Sequence, residues 1–231
     1  MRVLITGAAG AVGRNLVQRW QDRFELRGFD RQPMPDLADA QVGDVGDFDT
    51  VLNATRDMEG IVHLGSYGGE VAWPDMLHTN FAGTYNIFEA ARQNNVRRVV
   101  FASRAGLLSS YPKDVQRTMA MQPRPNSTYD ISKVFGEGLA YMYAHRHGLE
   151  VVSVRIGNFN IDRDLPEHPH QLSHGDAARV FERALVHPDV RCEVVFGVSD
   201  SDWPMYDLDH GRQAIDYHPQ DRSQVPQDKR Q

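Results

Sequence analysis

The sequence predicts an α/β fold: a doubly wound, mostly parallel sheet with helices on both faces and a small C-terminal capping region. Three observations carry this. Short apolar runs alternate with amphipathic stretches, as βαβ units require. A glycine-rich turn separates the first run from the first helix. Near Asn158 the alternation gives way to a polar, proline-interrupted stretch.

Residues 2–6 (RVLIT) read as a buried strand, and residues 11–20 after the glycine turn as a helix. A second strand ends at Gly28, Phe29 and Asp30, and residues 32–39, rich in Pro and Asp, read as loop. GIVHL at 60–64 is a strand. Residues 74–94 form a long helix, with Met76, Phe81, Tyr85, Phe88 and Ala91 at helical spacing. RRVVFAS at 97–103 is a strand, 129–147 a second long helix stopped by Gly148, and EVVSVRI at 150–156 a β-branched strand. Beyond these lie a helix at 176–186 and a short strand at 193–196. From His218 onward the composition is that of a disordered tail. The expected organisation is therefore residues 1–157 as the main domain, 158–217 as the capping region packed on it, and 218–231 as the tail.

With 25 Lys and Arg against 31 Asp and Glu, the formal net charge is -6. This argues against nucleic acid or an anionic membrane as partner, because phosphates attract clustered cations. A lone cysteine, Cys192, allows no intrachain disulfide. The strand at Arg2 leaves no room for a signal peptide, and no apolar run is long enough to span a bilayer. A cytoplasmic protein is expected.

TGAAGAVG places Gly7, Gly10 and Gly13 at GxxGxxG spacing between strand and helix. Glycines allow a tight turn and close approach of a pyrophosphate, and the helix start, with Ala11 and Val12, turns free N–H groups toward that anion. Asp30 follows Gly13 by 17 residues. A carboxylate there accepts hydrogen bonds from a ribose diol and repels a 2′-phosphate, which favours NAD over NADP. Arg31 beside it could hold a 2′-phosphate, so NADP stays open. Asp44, between Gly43 and Val45, either meets the adenine amino group or caps the next helix.

YDISK puts Tyr129 and Lys133 four residues apart, on one helical face. An ammonium beside a phenol stabilises phenolate, lowering its pKa so that Tyr129 can take a proton from a substrate hydroxyl. With the glycine turn upstream, the chain resembles the extended short-chain dehydrogenase/reductases, the NAD-dependent epimerase/dehydratase family with its Rossmann domain, and within it the uronate dehydrogenases. The shared stretches are TGAAGAVG, IVHLG (61–65), NFAGTYNIFEAAR (80–92), VVFAS (99–103), YDISKVFGE (129–137), VRIG (154–157) and SHGD (173–176). The resemblance implies that Val45, Leu64, Gly65 and Ser66 lie along the cofactor. It implies that Tyr129 is the base, that Lys133 holds the ribose, and that Ile156 to Asn158 flank the nicotinamide.

Two departures bear on the substrate. Where the family carries Ser or Thr, 25 residues before the tyrosine, this chain has Arg104. Arg104 either reaches the substrate oxygen or carboxylate, or turns outward and leaves Ser103 or Ser109 to substitute. Asn158 replaces a serine of the uronate dehydrogenases, and Arg163 does not align with their substrate arginine. Ser66, Tyr67 and His174 are further candidate substrate contacts. His63 reads as a buried structural residue and Arg155 as a structural pair. His168 and His170 lack a third ligand at sensible spacing, so no metal is expected. Trp73, Phe81, Tyr85 and Phe88 cover the sheet or pair two copies as a homodimer.

The expected activity is NAD-dependent oxidation of a hydroxyl, or its reverse, on a small sugar or sugar-acid-like molecule. The alternatives are an epimerase or dehydratase that oxidises its substrate only transiently, and a dinucleotide sensor in which Arg104 marks lost catalysis.

Overall fold

The structure is a computed structural model that describes residues 1–230. Seven strands form one sheet: β1 (Arg2–Thr6), β2 (Glu25–Asp30), β3 (Asp39–Val42), β4 (Gly60–His63), β5 (Arg98–Arg104), β6 (Glu150–Ile156) and β7 (Cys192–Gly197). Their order is β3-β2-β1-β4-β5-β6-β7 and every pairing is parallel. Winding reverses between β1 and β4, which opens a crevice at their carboxyl ends, where such sheets bind ligands.

The pleat sends alternate residues to opposite faces. Val3 and Ile5 pack with Leu16 and Trp20 of α1 (Ala11–Trp20) and with Phe181 and Leu185 of α6 (His174–Val186). Leu4, Ile61 and Phe101 face the other layer, meeting Val51 of α2 (Phe48–Ala54), Phe88 of α4 (Gly83–Gln93) and Tyr143 of α5 (Thr128–His147). Both layers are needed because a parallel sheet is apolar on both sides. No helix among the described residues is long and apolar enough to cross a membrane.

Four expectations need correction. The segment 74–94 is not one regular helix. A short α3 (Trp73–Met76) passes into a π-helical turn, Leu77–Ala82, before α4. An edge strand, β3, follows the loop at 32–39; three of its four residues are polar or small, so it lacks an apolar signature. Asp47, not Asp44, caps α2, its side chain accepting from the Thr50 N–H. The boundary at 157 cuts through the sheet, since α6 and β7 complete one more βαβ unit on β6. What caps the carboxyl edge is the loop 158–172, closed on itself by a bridge between Asn158 and Gln171. A strap around Arg117 joins it, paired with Tyr206 just before α7 (Asp209–Ile215).

The tail also departs from expectation. Arg222–Ser223 (β9) pairs with Asp200–Ser201 (β8), and Val225 is buried. The cause is Asp176, which is fully buried at the start of α6. Its carboxylate accepts the backbone N–H of Gln220 at 2.8 Å and of Asp221 at 3.1 Å, besides Ser199 and Arg179. A buried carboxylate must find such donors, and these come from a segment whose own composition shows no reason to fold. Deleting residues 218–231 should lower Tm by roughly 10 °C, because two hydrogen bonds to a buried charge and an apolar anchor are lost. A thermal melt of the truncated chain checks this; an unchanged Tm would restore the disordered-tail reading.

Candidate active site

A cavity of about 530 Å³ runs along the crevice from the glycine turn to the capping loop. At one end lie Gly7, Gly10, Ala11, Val12 and Gly13; in the middle Leu64 and Ser66; at the other end Arg104, Tyr129, Lys133, Ile156, Asn158, His168 and His170. A smaller opening of about 140 Å³ shares Gly7, Gly10, Leu64 and Ser66 with it and adds Asp30, Arg31, Val45 and Gly65. Residues from every segment marked in the sequence thus meet in one crevice, with the exceptions given below.

The glycine turn is built for close approach. Gly7 has φ +71°, and a Cβ there would fall 2.8 Å from the Gly65 nitrogen. A Cβ on Gly13 would collide with the Gly7 carbonyl. Gly10 caps α1 with no side-chain hydrogen bond, and the first turn carries no acid. Its N–H groups therefore face the cavity unsatisfied, a site that suits a pyrophosphate. Asp30 is held at the edge of this turn. One oxygen accepts the Ala9 N–H and the other the Gln32 N–H, both at 3.0 Å. Arg31 lies against the Tyr67 ring, 4.9 Å from its centroid, and donates to the Tyr67 hydroxyl at 3.0 Å.

Behind the cavity a chain of hydrogen bonds links sheet to helices. The Thr84 hydroxyl donates to the Asn80 carbonyl at 2.6 Å, so it receives the proton on His63 Nε2, 3.3 Å away. His63 is then neutral, and its Nδ1 accepts from Thr6 Oγ1 at 2.7 Å, which itself accepts the Gly65 N–H. Burial first, and Lys133 second, push His63 down to about 3. The Asn80 amide continues the chain: it bonds both backbone groups of Tyr67 and donates to Ser132, whose hydroxyl donates to the Tyr129 carbonyl. The π-helical turn is what aims Asn80 there; a pattern of apolar spacing carries no sign of it.

Helix α5 starts with two caps. Ser127 accepts the Asp130 N–H, and Glu70, from the loop after β4, accepts the Thr128 hydroxyl at 2.6 Å and the Tyr129 N–H at 3.2 Å. Lys133, 3% exposed, points down from this helix and donates to Ser66 Oγ at 3.0 Å. Its Nζ lies 5.4 Å from the Tyr129 ring centroid. Burial, and then repulsion from Arg104, push it down to about 7. Tyr129 is pushed up, because burial outweighs the pull of Arg104, and Asp130 adds to the rise. The expectation that its ammonium neighbour lowers the tyrosine therefore fails in this state: Arg104, not Lys133, is the cation that opposes the burial.

Several expected contacts are occupied otherwise. Ser103 lines the cavity, but its hydroxyl donates to Glu137 at 2.6 Å, and Glu137 grips Arg155 through two bonds of 2.8 Å, so that hydroxyl is engaged and Arg155 is structural. Tyr67 turns to Arg31 and does not line the main cavity. His174, outside the lining of both openings, bonds the Asn160 carbonyl and lies tilted against Phe159. Asp44 binds the Gly46 N–H and His78 and also lies outside them. His168 and His170, weighed in the sequence only as metal ligands, instead form a wall of the cavity with rings 4.3 Å apart. Among the described residues no three His, Cys, Asp or Glu are grouped to hold a metal.

Fold and crevice together define a doubly wound α/β protein whose topological switch point is shaped for a dinucleotide. The chain belongs to the NAD dependent epimerase/dehydratase family, which it matches over residues 3–195. It is 35% identical to a uronate dehydrogenase of Pseudomonas syringae pv. tomato, over 97% of this chain and 83% of that protein. It is 33% identical to an NAD-dependent glucose-6-phosphate dehydrogenase of Haloferax volcanii, over 96% and 94%. A mutant uronate dehydrogenase from Agrobacterium tumefaciens, solved in complex with NAD, superposes with TM-score 0.89 at 33% identity, covering 96% of this chain and 85% of that one.

The buried Lys133 makes a stability prediction. Its folded pKa, about 7, lies below the unfolded 10.5. Between those values the unfolded chain holds one more proton, so stability contributed at this position rises with pH, and below pH 7 the full cost of burying the cation remains. Lys133→Met should therefore raise Tm at pH 6, by roughly 2–4 °C for each kcal/mol recovered, with the gain shrinking toward pH 10. Melts of both proteins across this range test it; a gain that grew with pH would contradict it.

Proposed function

We propose that the protein is an NAD-dependent oxidoreductase that oxidises a hydroxyl of a small polar substrate of the sugar or sugar-acid type, or reduces the matching carbonyl. The observation that carries this is that Tyr129, Lys133 and Arg104 open into the same cavity as the glycine turn. Relatives named for oxidising a uronate and glucose 6-phosphate support the substrate type.

The residues fit NAD. The bare N-terminus of α1 would take its pyrophosphate, and Gly7, Gly10 and Gly13 leave room for it. Asp30, at the end of β2, would meet the adenosine ribose and disfavour a 2′-phosphate, while Arg31 is engaged with Tyr67. Val45, Leu64, Gly65 and Ser66 would flank the dinucleotide between its two ends, and Ile156 and Asn158 the nicotinamide end. NAD, when bound, supplies the hydride acceptor. Tyr129 takes the hydroxyl proton as the substrate carbon loses hydride. Lys133, anchored on Ser66, would hold the nicotinamide-side ribose, while Arg104 supplies the charge that favours the forming phenolate and orients the substrate.

NADH formation, screened over aldoses, uronates, sugar phosphates and small hydroxy acids, tests the reading. Accumulation of NADH supports it; conversion without accumulation would point to an epimerase or dehydratase. Tyr129→Phe should cut kcat by about 10²- to 10⁴-fold. Because burial raises Tyr129 and the neutral phenol cannot accept a proton, kcat/KM for oxidation should climb from pH 7 toward pH 10. A flat profile would count against Tyr129 as base.

We also propose a homodimer. Trp73, Leu77 and Tyr85 lie exposed along α3, the π turn and α4, and Ile131 and Tyr141 along the neighbouring α5, an apolar face suited to a second copy. Sedimentation should give twice the 26.1 kDa chain mass, and Tyr85→Asp should shift it toward monomer. The single, partly buried Cys192 fits a reducing compartment such as the cytoplasm.

A further inference from the structure

Arg104 occupies a built niche. Its Nη1 donates to Asp130 Oδ1 at 2.6 Å, and the Asp130 side chain is 1% exposed. The other Asp130 oxygen accepts the Asn126 N–H. The guanidinium carbon lies 5.3 Å from the Tyr129 ring centroid. A Cβ on residue 106 would fall 2.5 Å from Arg104 Nε, so Gly106 leaves the space that the guanidinium fills. Three separate features thus fix one charge beside the phenol. Asp130 takes a single N–H of the five a guanidinium carries, and the Arg104 side chain remains 40% exposed.

The charge on the cavity wall is one-sided. Arg104, Lys133, His168 and His170 line it, and no Asp or Glu among the described residues does, in a chain of formal net charge -6. The carboxylate that clamps Arg104 sits behind it, out of the cavity. His168 Nδ1 accepts the His170 N–H at 3.3 Å, which leaves its proton on Nε2 as a neutral donor. Burial lowers both imidazoles. Arg104 is therefore the permanent charge of the substrate end.

We propose that Arg104, clamped by Asp130 and given room by Gly106, is an anion subsite that binds the carboxylate or phosphate of the substrate beside Tyr129. The inference rests on the dehydrogenase reading for where the substrate lies. A hydroxyl needs one donor, as Ser or Thr would supply. A guanidinium fork matches two oxygens of one anion. A neutral sugar filling the cavity would strip water from this cation and return no charge.

The test is equilibrium binding of D-glucuronate, D-glucose 6-phosphate and D-glucose, measured by calorimetry with and without saturating NADH. At least one anion should bind about tenfold or more tightly than glucose. The stronger of the two identifies carboxylate or phosphate. Arg104→Ser should abolish the preference. Gly106→Ala keeps the arginine but displaces it, and should weaken anion binding while glucose binding holds; it decides the matter if Arg104→Ser does not fold. Anions binding no better than glucose, including no binding of either, overturn the proposal, as does a preference that survives both substitutions. Failure of the dehydrogenase reading has a different signature: no NADH from any sugar, whatever these binding constants are.

Discussion

One neutral imidazole joins the sheet to the helix that carries Tyr129 and Lys133. His63 sits at the carboxyl end of β4, accepts from Thr6 on β1 and donates to Thr84 on α4. Through Asn80 and Ser132 the chain of bonds reaches the Tyr129 carbonyl. Each proton in it has a single direction, because the Thr84 hydroxyl is committed to the Asn80 carbonyl. A protonated His63 would break that order, and burial prevents protonation. The crevice between β1 and β4 thus has a fixed width, and the loop bearing Ser66 is held at a set distance from α5.

Electrostatics in the crevice follows from that rigidity. Lys133 is carried below the surface, with Ser66 as its partner and the Phe101 and Tyr129 rings around it. Without a nearby carboxylate its charge is costly, hence the fall in its pKa. Arg104 adds to that cost and at the same time favours Tyr129 phenolate. Asp130 restrains the added charge from behind. The pair Arg104–Asp130 thus changes the balance in which a hydroxyl donor would have been electrically silent, and it sets a guanidinium at the Tyr129 end of the crevice while the glycine end presents backbone N–H groups.

Much of this was legible in the chain. Strands rich in Val and Ile, the spacing of Gly7, Gly10 and Gly13, and the pair Tyr129 and Lys133 each express a local rule. A buried parallel strand must be apolar, a turn that hugs an anion must lack Cβ, and residues four apart share a helical face. The misreadings came where a residue answers to a distant partner. Ser103 is claimed by Glu137, Tyr67 by Arg31, and His174 by Asn160. Residues 218–230 have the composition of a disordered tail, yet Asp176, some forty residues earlier, draws them into order.

The sequence by itself determined the doubly wound class, the glycine turn and the Tyr129–Lys133 pair, because these depend on spacing within a single strand, turn or helix. Only the tertiary structure decided which hydroxyls remain available, where Arg104 points and what His168 and His170 face. Those outcomes depend on burial and on hydrogen-bond partners that lie far apart in the chain, and no local pattern encodes which of two candidate partners a polar side chain will meet.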